Sequence, residues 1–347
     1  MKEFELQCPI PNASEALIKM GHGGGGRMSQ RLIDDVFLKS FANDSLDARH
    51  DAAVFNVGSK RIAVSTDGFV VRPWRFPGGN IGSLAVHGTV NDLAMAGAKP
   101  LSLTAAFILE EGFAMANLQV VVESMHAAAK AAGVEIVAGD TKVVERGKGD
   151  GVYIVTTGIG EVLSTSTIGP QSVRQGDAVL LSGDVGRHSA AVMSVREGLS
   201  FEEPVLSDSA TVHHPALALI SEGIEVHCMR DPTRGGLCSI LNEIARDAHV
   251  GITVDERSID VQEDVRGICE LLGLDPMSMA CEGRFVAFVA HQHIERALGI
   301  LRSFPVSAEA KLIGRVEGYP GEVCVRSQIG VTRVLDLLSG EQLPRIC

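Results

Sequence analysis

The spacing of apolar residues predicts alternating strands and helices through the first half of the chain. Strand-like runs, rich in β-branched and aromatic residues, occur at 52–57, 61–71, 101–109, 134–139 and 152–162. Apolar residues at helical spacing predict helices over 29–41, 81–96 and 115–132. Gly97 and Pro100 end the second of these helices, and Gly133 ends the third. This alternation is typical of an α/β domain.

The second half repeats the pattern after a turn-rich segment, "STSTIGPQSVRQGD", at 164–177. Strands are predicted at 178–183, 225–229 and 284–290, and helices at 188–197, up to Ala248 and at 293–303. We therefore predict an α/β (α+β) protein of two domains. Its parts are an N-terminal arm (1–20), a first domain (21–168), a second domain (169–338) and a mobile C-terminal tail (339–347).

Composition limits the possible partners and the compartment. The net charge of −12 argues against nucleic acid or an anionic membrane as the main partner. No apolar run reaches the roughly 18 residues of a membrane span, and the N-terminus lacks the basic-then-apolar order of a signal peptide. Seven cysteines without a CxxC pair do not indicate a disulfide framework, so we expect a reduced, cytoplasmic protein.

Five aspartates stand out, four of them near the ends of predicted strands and one inside a predicted helix. They are Asp51, Asp67, Asp92, Asp140 and Asp231. Taken singly, each is best interpreted as a turn or capping residue. Asp92 is the exception, because it lies inside an otherwise apolar helix, where an unpaired carboxylate is costly. Carboxylates that converge at strand ends need cations between them, and their hard oxygen ligands suit Mg²⁺.

The glycine run Gly23, Gly24, Gly25 and Gly26 can point successive N–H groups at an anion. It matches neither a Walker A motif nor the GxGxxG turn. By itself the glycine run is best interpreted as a flexible linker. Together with the five aspartates, it can also be interpreted as a flap that covers the phosphates of a nucleotide. The final residue, Cys347, is open to two interpretations in the same way: an accidental thiol on a frayed end, or a functional thiol.

Other candidates have simpler explanations. His213 and His214 with the scattered cysteines lack zinc-ligand spacing. Core packing is expected for the four cysteines in apolar segments, Cys228, Cys238, Cys269 and Cys281. Lys142 is either an exposed lysine or a base, and Glu282 either a turn carboxylate or a proton acceptor.

A set of motifs in a fixed order points to a known family. The motifs are "HGGGGR", "HDAAV", "STDGFVV", "FPGGNIG", "GTVNDLAMAGA", "FILEEG", "GDTKVV", "RDPTRGG", "CEGR" and the terminal "PRIC", in order from residue 22 to 347. In this combination the chain resembles a family of NiFe hydrogenase maturation factors. That family belongs to the ATP-binding superfamily of aminoimidazole ribonucleotide synthetase (PurM), selenophosphate synthetase and thiamine-monophosphate kinase.

The resemblance implies a fold and an activity. The fold is PurM-like: an N-terminal α/β domain whose strands form a β-barrel in a homodimer, and a C-terminal α+β domain, with ATP between the domains. The carbamoyltransferase HypF loads a carbamoyl group onto the terminal thiol. ATP, with Mg²⁺, then drives dehydration of the thiocarboxamide to a thiocyanate, and the cyano group passes to iron on the HypC–HypD complex.

The resemblance also implies residue roles. It assigns catalysis to Cys347, Lys142 and Glu282. It assigns metal binding to Asp51, Asp67, Asp92, Asp140 and Asp231. It assigns nucleotide contacts to Gly23–Gly26, Asp67, Asn91, Asp92, Gly139, Asp140 and Thr141. Two alternatives stay open from the residues themselves. The chain could be a non-enzymatic tail donor that nucleotide switches, or a phosphotransferase acting on a small acceptor.

Overall fold

The structure is a computed structural model and describes residues 17–41, 43–337, 343 and 345–347. Most of the predicted arm and part of the predicted tail lie outside the described residues. Among the described residues, no helix is both long enough and apolar enough to cross a membrane.

The first half folds around one five-stranded sheet. The helices are α1 (Arg27–Leu32), a π-helical turn (Ile33–Leu38), α2 (Lys39–Phe41), α3 (Asp44–Asp47), α4 (Ile81–Met95) and α5 (Met115–Ala132). The strands are β1 (Ala53–Val57), β2 (Lys60–Phe69), β3 (Arg75–Phe76), β4 (Gly79–Asn80), β5 (Ala98–Glu110), β6 (Glu135–Val144) and β7 (Val152–Val162). The sheet order is β1-β2-β7-β5-β6, with β5 and β6 parallel and the other neighbours antiparallel; β3 and β4 form a separate ribbon.

Apolar side chains on α4 and α5 form the core of this half. Helix α4 is buried on nearly all sides, with Leu84, Val86 and Val90 fully inaccessible. It begins at Asn80, whose side chain accepts hydrogen bonds from the N–H groups of Gly82 and Ser83. Helix α5 ends at Gly133, which adopts a left-handed conformation suited to glycine.

The second half is built on a seven-stranded sheet. The helices are α6 (Arg187–Arg196), α7 (His213–Ser221), α8 (Gly236–Asp247), α9 (Glu263–Leu272) and α10 (Ile294–Arg302). The strands are β8 (Ala178–Leu181), β9 (Val226–Arg230), β10 (Ile252–Asp255), β11 (Val286–Val289), β12 (Lys311–Arg315), β13 (Val323–Arg326) and β14 (Thr332–Val334). The sheet order is β14-β13-β10-β12-β8-β11-β9, and β10 pairs with β13 in parallel.

The two halves pack directly against each other. Ala94 and Met95, near the end of α4, share a buried cluster with Leu219 of α7 and with Met229 of β9. The side chain of Asn91 reinforces this contact: its amide donates to the carbonyl of Ala210 at 3.0 Å and its oxygen accepts from the N–H of Val212 at 2.8 Å. This packing brings together the start of β1, the end of α4 and the end of β9.

Most predicted elements are present, and two of them differ in detail. The second half also has elements that were not predicted, among them α7, α9, β10, β12, β13 and β14. The predicted helix at 29–41 forms as α1, the π-turn and α2, but its apolar residues Val36, Phe37 and Phe41 stay exposed. The strand predicted to end at Gly139 continues to Val144, so Asp140 lies within β6 and not just past it. Continued pairing with β5 up to Glu110 extends the strand beyond the Gly-Asp pair, which resembles a turn in sequence.

Candidate active site

Three of the predicted aspartates form one cluster between the two halves. Carboxylate oxygens of Asp51, Asp92 and Asp231 all lie within 4.8 Å of one another. Asp51 directly precedes the β1 strand region, Asp92 lies in the last turns of α4, and Asp231 directly follows β9. Asp67, late in β2, lines the same cavity of about 420 Å³. The domain packing thus assembles the cluster from three separate segments, and β2 adds a fourth to the cavity.

Burial and mutual repulsion disfavour the charged form of these carboxylates. Burial raises the pKa of Asp92 well above its usual value, and the charges of Asp231 and Asp51 raise it further. Burial and the charge of Asp51 act in the same direction on the pKa of Asp231. Burial raises the pKa of Asp51 to about 6, against the opposing charge of Arg230. A bound cation would relieve this repulsion.

The donors present fit a hard cation such as Mg²⁺. Oδ2 of Asp51 and Oε1 of Glu282 are buried without a hydrogen-bond partner among the described residues. The other oxygens are partly satisfied: Ser65 donates to Oδ2 of Asp92 at 2.6 Å, and Arg230 approaches Oδ1 of Asp51 at 2.7 Å. Unpaired carboxylate oxygens at the centre of an acidic cluster are the ligands that Mg²⁺ uses.

The C-terminus enters this cavity. The N–H of Val70 donates to the terminal carbonyl of Cys347 at 3.1 Å, and the N–H of Arg72 donates to the carbonyl of Arg345 at 3.1 Å. The side chain of Ile346 is buried in the same cluster as Phe69. Cys347 lines the cavity together with the aspartates. The terminal thiol is therefore part of the site and not a frayed end.

Two charged side chains face the thiol. Burial raises the pKa of Cys347 well above its usual value; the charge of Glu282 and a hydrogen bond with it raise it further, while Arg234 opposes them. Burial and the charges of Asp231 and Asp67 raise the pKa of Glu282 well above its usual value, which favours its protonated form. The pKa of Arg234 is raised, first of all by its proximity to Cys347.

The glycine run packs against the loop that carries Arg234. Arg234 donates to the carbonyl of Gly23 at 3.0 Å, and Ser239 donates to the carbonyl of Gly25 at 2.7 Å. Gly25 has φ of 77°, and a Cβ there would lie 2.7 Å from the carbonyl oxygen of Arg234. Both the backbone conformation and the close contact therefore require glycine at this position.

The structure does not bring the remaining predicted residues into the cavity of the same chain. Gly139, Asp140 and Thr141 line a different groove, with α5, on the edge strand β6. Asp67 on β2 is separated from β6 by β7 and β5, about 14 Å at roughly 4.8 Å per strand. Nζ of Lys142 lies 2.7 Å from Oδ2 of Asp140, and both side chains are exposed. Their roles stay predictions.

Two charged residues of the site were not predicted from sequence. Arg230 neutralises part of the cluster, with its guanidinium 2.7 Å from Asp51 and 3.0 Å from Glu243. Arg234 links the glycine run to the thiol. Both flank Asp231 in "RDPTRGG", and that proximity in sequence was the available signal.

Comparison with known proteins identifies first the broad class. The model of the N-terminal domain of AIR synthase related proteins matches residues 49–162, and that of their C-terminal domain matches residues 174–326. A carbamoyl dehydratase HypE from Azotobacter vinelandii is 49% identical over 331 residues, which cover 95% of this chain and 97% of the relative. The chain belongs to the HypE family of carbamoyl dehydratases within the AIR synthase related proteins.

Solved structures support the same assignment. A HypE–HypF complex aligns with a TM-score of 0.84 at 44% identity, covering 88% of this chain and 99% of that chain. A hydrogenase maturation protein HypE in complex with ATP aligns with a TM-score of 0.81 at 45% identity, covering 95% of this chain and 100% of that chain. The resemblance inferred from the motifs and the two-domain PurM-like fold are confirmed.

Proposed function

We propose that this protein is an ATP-dependent carbamoyl dehydratase of NiFe hydrogenase maturation that acts on its own carbamoylated Cys347. One observation carries the proposal: the terminal thiol lies in the same cavity as the carboxylate cluster and Glu282. A covalent group on that sulfur would be next to the residues that bind a nucleotide–metal complex. The relative bound to ATP supports the choice of nucleotide.

The chemistry is a dehydration in two steps. The amide oxygen of the S-carbamoyl group attacks the γ-phosphorus of ATP, which releases ADP and gives an imidate phosphate. The carbon–oxygen bond then breaks, inorganic phosphate leaves with the former amide oxygen, and the nitrogen loses its protons to give the thiocyanate. ATP is needed because phosphate is a far better leaving group than hydroxide or oxide.

Residues of this chain provide the positions and the proton transfers. Asp51, Asp92 and Asp231 would hold Mg²⁺, with Asp67 at the edge of the cavity, and the ion would neutralise charge on the phosphates and lower the pKa of nearby acids. Glu282, beside the thiol, is placed to take a proton from the amide nitrogen. Arg234 faces the same sulfur and can stabilise negative charge that develops there.

We further propose that a second copy of the chain completes the site. Strand β6 is an edge strand with nearly every residue exposed, including the apolar Val137 and Val143. An exposed apolar edge strand favours pairing with another sheet, as in the dimer barrel expected from the resemblance. Such pairing would cover Gly139, Asp140, Thr141 and Lys142, and would let them reach the cavity of the partner chain.

The partners follow from the chemistry of the tail. HypF is proposed as the carbamoyl donor, supported by the solved complex of a HypE relative with HypF. The HypC–HypD complex is proposed as the acceptor of the cyano group. A cytoplasmic location belongs to this proposal because Cys347 must remain a free thiol between cycles.

Mass spectrometry of the C-terminal peptide tests the proposal. After carbamoyl loading, Mg²⁺ and ATP should remove the mass of one water from this peptide. No loss under these conditions would contradict the dehydratase and favour a passive tail donor, and equal loss without ATP would contradict the energy coupling. A Cys347→Ala chain that keeps full phosphotransfer to a small acceptor would favour the phosphotransferase.

A further inference from the structure

The docked tail is held through its backbone and through the side chains of Arg345 and Ile346. Residues 70–72 pair with it through the N–H groups of Val70 and Arg72, and Arg196 donates to the carbonyl of Arg345 at 2.7 Å. The side chain of Arg345 also forms an ion pair with Asp150. These contacts involve Arg345 and the main chain of Cys347, and they are independent of what is attached to the sulfur.

One side chain fixes the peptide that carries Cys347. Nε2 of His188, in the first turn of α6, lies 2.9 Å from the carbonyl oxygen of Ile346. That carbonyl belongs to the peptide bond joined to the nitrogen of Cys347, so its orientation sets the direction of the cysteine side chain. A shift of this peptide would move the sulfur away from Glu282 and Arg234.

The surroundings of His188 fix its ring and its tautomer. A carbonyl can only accept, so Nε2 carries the hydrogen. Nδ1 lies 2.8 Å from Oγ of Ser207, and the ring meets Phe76 edge-on at 5.1 Å between centroids. Burial lowers the pKa of His188, so the ring is neutral at neutral pH and Ser207 donates to Nδ1. The histidine is fully buried and is held rigidly as a donor.

We propose that His188 is a positioning residue of the dehydration step, which sets the depth of the Cys347 sulfur in the site through the carbonyl of Ile346. The role rests on the proposed function. His188 reaches neither the carboxylate cluster nor the thiol through any contact among the described residues. It acts on the reaction through the peptide that it holds.

Loss of the His188 hydrogen bond should affect dehydration and carbamoyl loading differently. Losing the donor weakens the docked state, so the thiol should become more accessible and dehydration should slow. In the proposed function, carbamoyl loading takes place on the undocked tail, so it should not slow. A residue that only fills the core would change neither the accessibility of the thiol nor the ratio of the two reactions at a temperature where the protein is folded.

The experiment compares His188→Phe with His188→Gln in the full chain. Phenylalanine keeps the ring and removes the donor, whereas glutamine can return an N–H at a similar reach. Without nucleotide, alkylation of Cys347 by iodoacetamide, followed by mass spectrometry of the C-terminal peptide, should be about tenfold faster in His188→Phe, the effect of one lost buried hydrogen bond. Loss of water with ATP should slow by a similar factor, and His188→Gln should recover most of both.

The matched control is His87→Phe. His87 forms the same kind of pair, with Nδ1 2.9 Å from Oγ of Ser209, but makes no contact with the described tail residues. The His87→Phe variant should therefore alkylate and lose water at rates near those of the wild type. Equal alkylation and water-loss rates in wild type and a folded His188→Phe would overturn the proposal.

Two outcomes keep the test decisive. If His188→Phe does not fold, Ser207→Ala frees the ring of His188 without removing it, and a smaller change in the same direction is expected; no change would overturn the proposal. If the wild type loses no water but its alkylation rate depends on His188, the proposed dehydratase is wrong while the positioning of the tail stands.

Discussion

Two acidic regions of this protein differ in how far one chain completes them. Asp51, Asp92 and Asp231 meet within 4.8 Å of one another, and burial raises the pKa of each. Asp140 lies on the exposed strand β6, where a hydrogen bond from Lys142 lowers its pKa. The first region carries repulsion that Arg230 relieves only in part and that a cation would neutralise, and the second is a solvated pair. One chain assembles the first region by itself, whereas in the proposed dimer a second chain would cover the other.

The largest effect is expected from Glu282→Gln, which tests the buried region. Removing the proposed proton acceptor beside the thiol should slow ATP-dependent water loss by at least about 100-fold, the usual contribution of general base catalysis. Carbamoyl loading should persist, because in the proposed function the tail leaves the cavity for that step. Single-turnover mass spectrometry of the C-terminal peptide measures both. Glu225→Gln removes an exposed carboxylate outside the site and should have no effect; a wild-type rate in Glu282→Gln would contradict the assignment.

The exposed region can be tested by mixing two inactive chains. Lys142→Ala keeps the thiol and Cys347→Ala keeps the lysine, so a mixed dimer has one intact site if Lys142 acts across the dimer. Random exchange should then recover about a quarter of the wild-type activity. The measurement is water loss from the Lys142→Ala chain before and after subunit exchange. No recovery, with exchange verified by native mass spectrometry, would show that β6 does not complete the partner's site.

A moderate effect on stability follows from the raised pKa values. Between the unfolded value near 4 and the folded value of about 6 for Asp51, the folded chain holds a proton that the unfolded chain has lost. Without cations, the free energy of unfolding should therefore fall as pH rises through this window, by roughly 3 kcal/mol at most for this residue. Urea denaturation from pH 4 to 7, with and without Mg²⁺, measures it.

Asp92→Asn provides the matched variant for that experiment. It removes one of the repelling charges, so at neutral pH without cations it should be more stable than the wild type, with a flatter pH dependence. It should also lose the stabilisation by Mg²⁺ and the nucleotide-dependent loss of water. A cation-free wild type that becomes more stable as pH rises from about 4 to about 6 would contradict the predicted repulsion.

The smallest effect is expected from Asp150→Asn, which removes the ion pair with Arg345. Both side chains are partly exposed, and such pairs contribute less than about 1 kcal/mol. Alkylation of Cys347 should accelerate by no more than about fivefold, and added salt should reduce the difference from wild type. A change larger than that of His188→Phe would show that the ion pair, and not the hydrogen bond to Ile346, determines docking.

The sequence predicts those site residues that stand out from their immediate neighbours in the chain. Asp92 stands out because it interrupts an apolar helix, and Asp51 and Asp231 because they lie at strand ends; the structure brings all three together. The length of β6 was not predicted, because the Gly139–Asp140 pair resembles a turn and only pairing with β5 extends the strand. The contact between His188 and Ile346 joins residues 158 positions apart, and no local pattern indicates it.

The most direct test of the central claim follows the carbamoyl oxygen. If ATP activates that oxygen as a phosphate ester, every turnover transfers it to inorganic phosphate. A chain carrying a carbamoyl group labelled with heavy oxygen on Cys347 should, with Mg²⁺ and ATP, yield one labelled phosphate for each thiocyanate formed. Phosphate without label, formed alongside the thiocyanate, would show that water cleaves the ATP and would contradict dehydration through the phosphorylated amide.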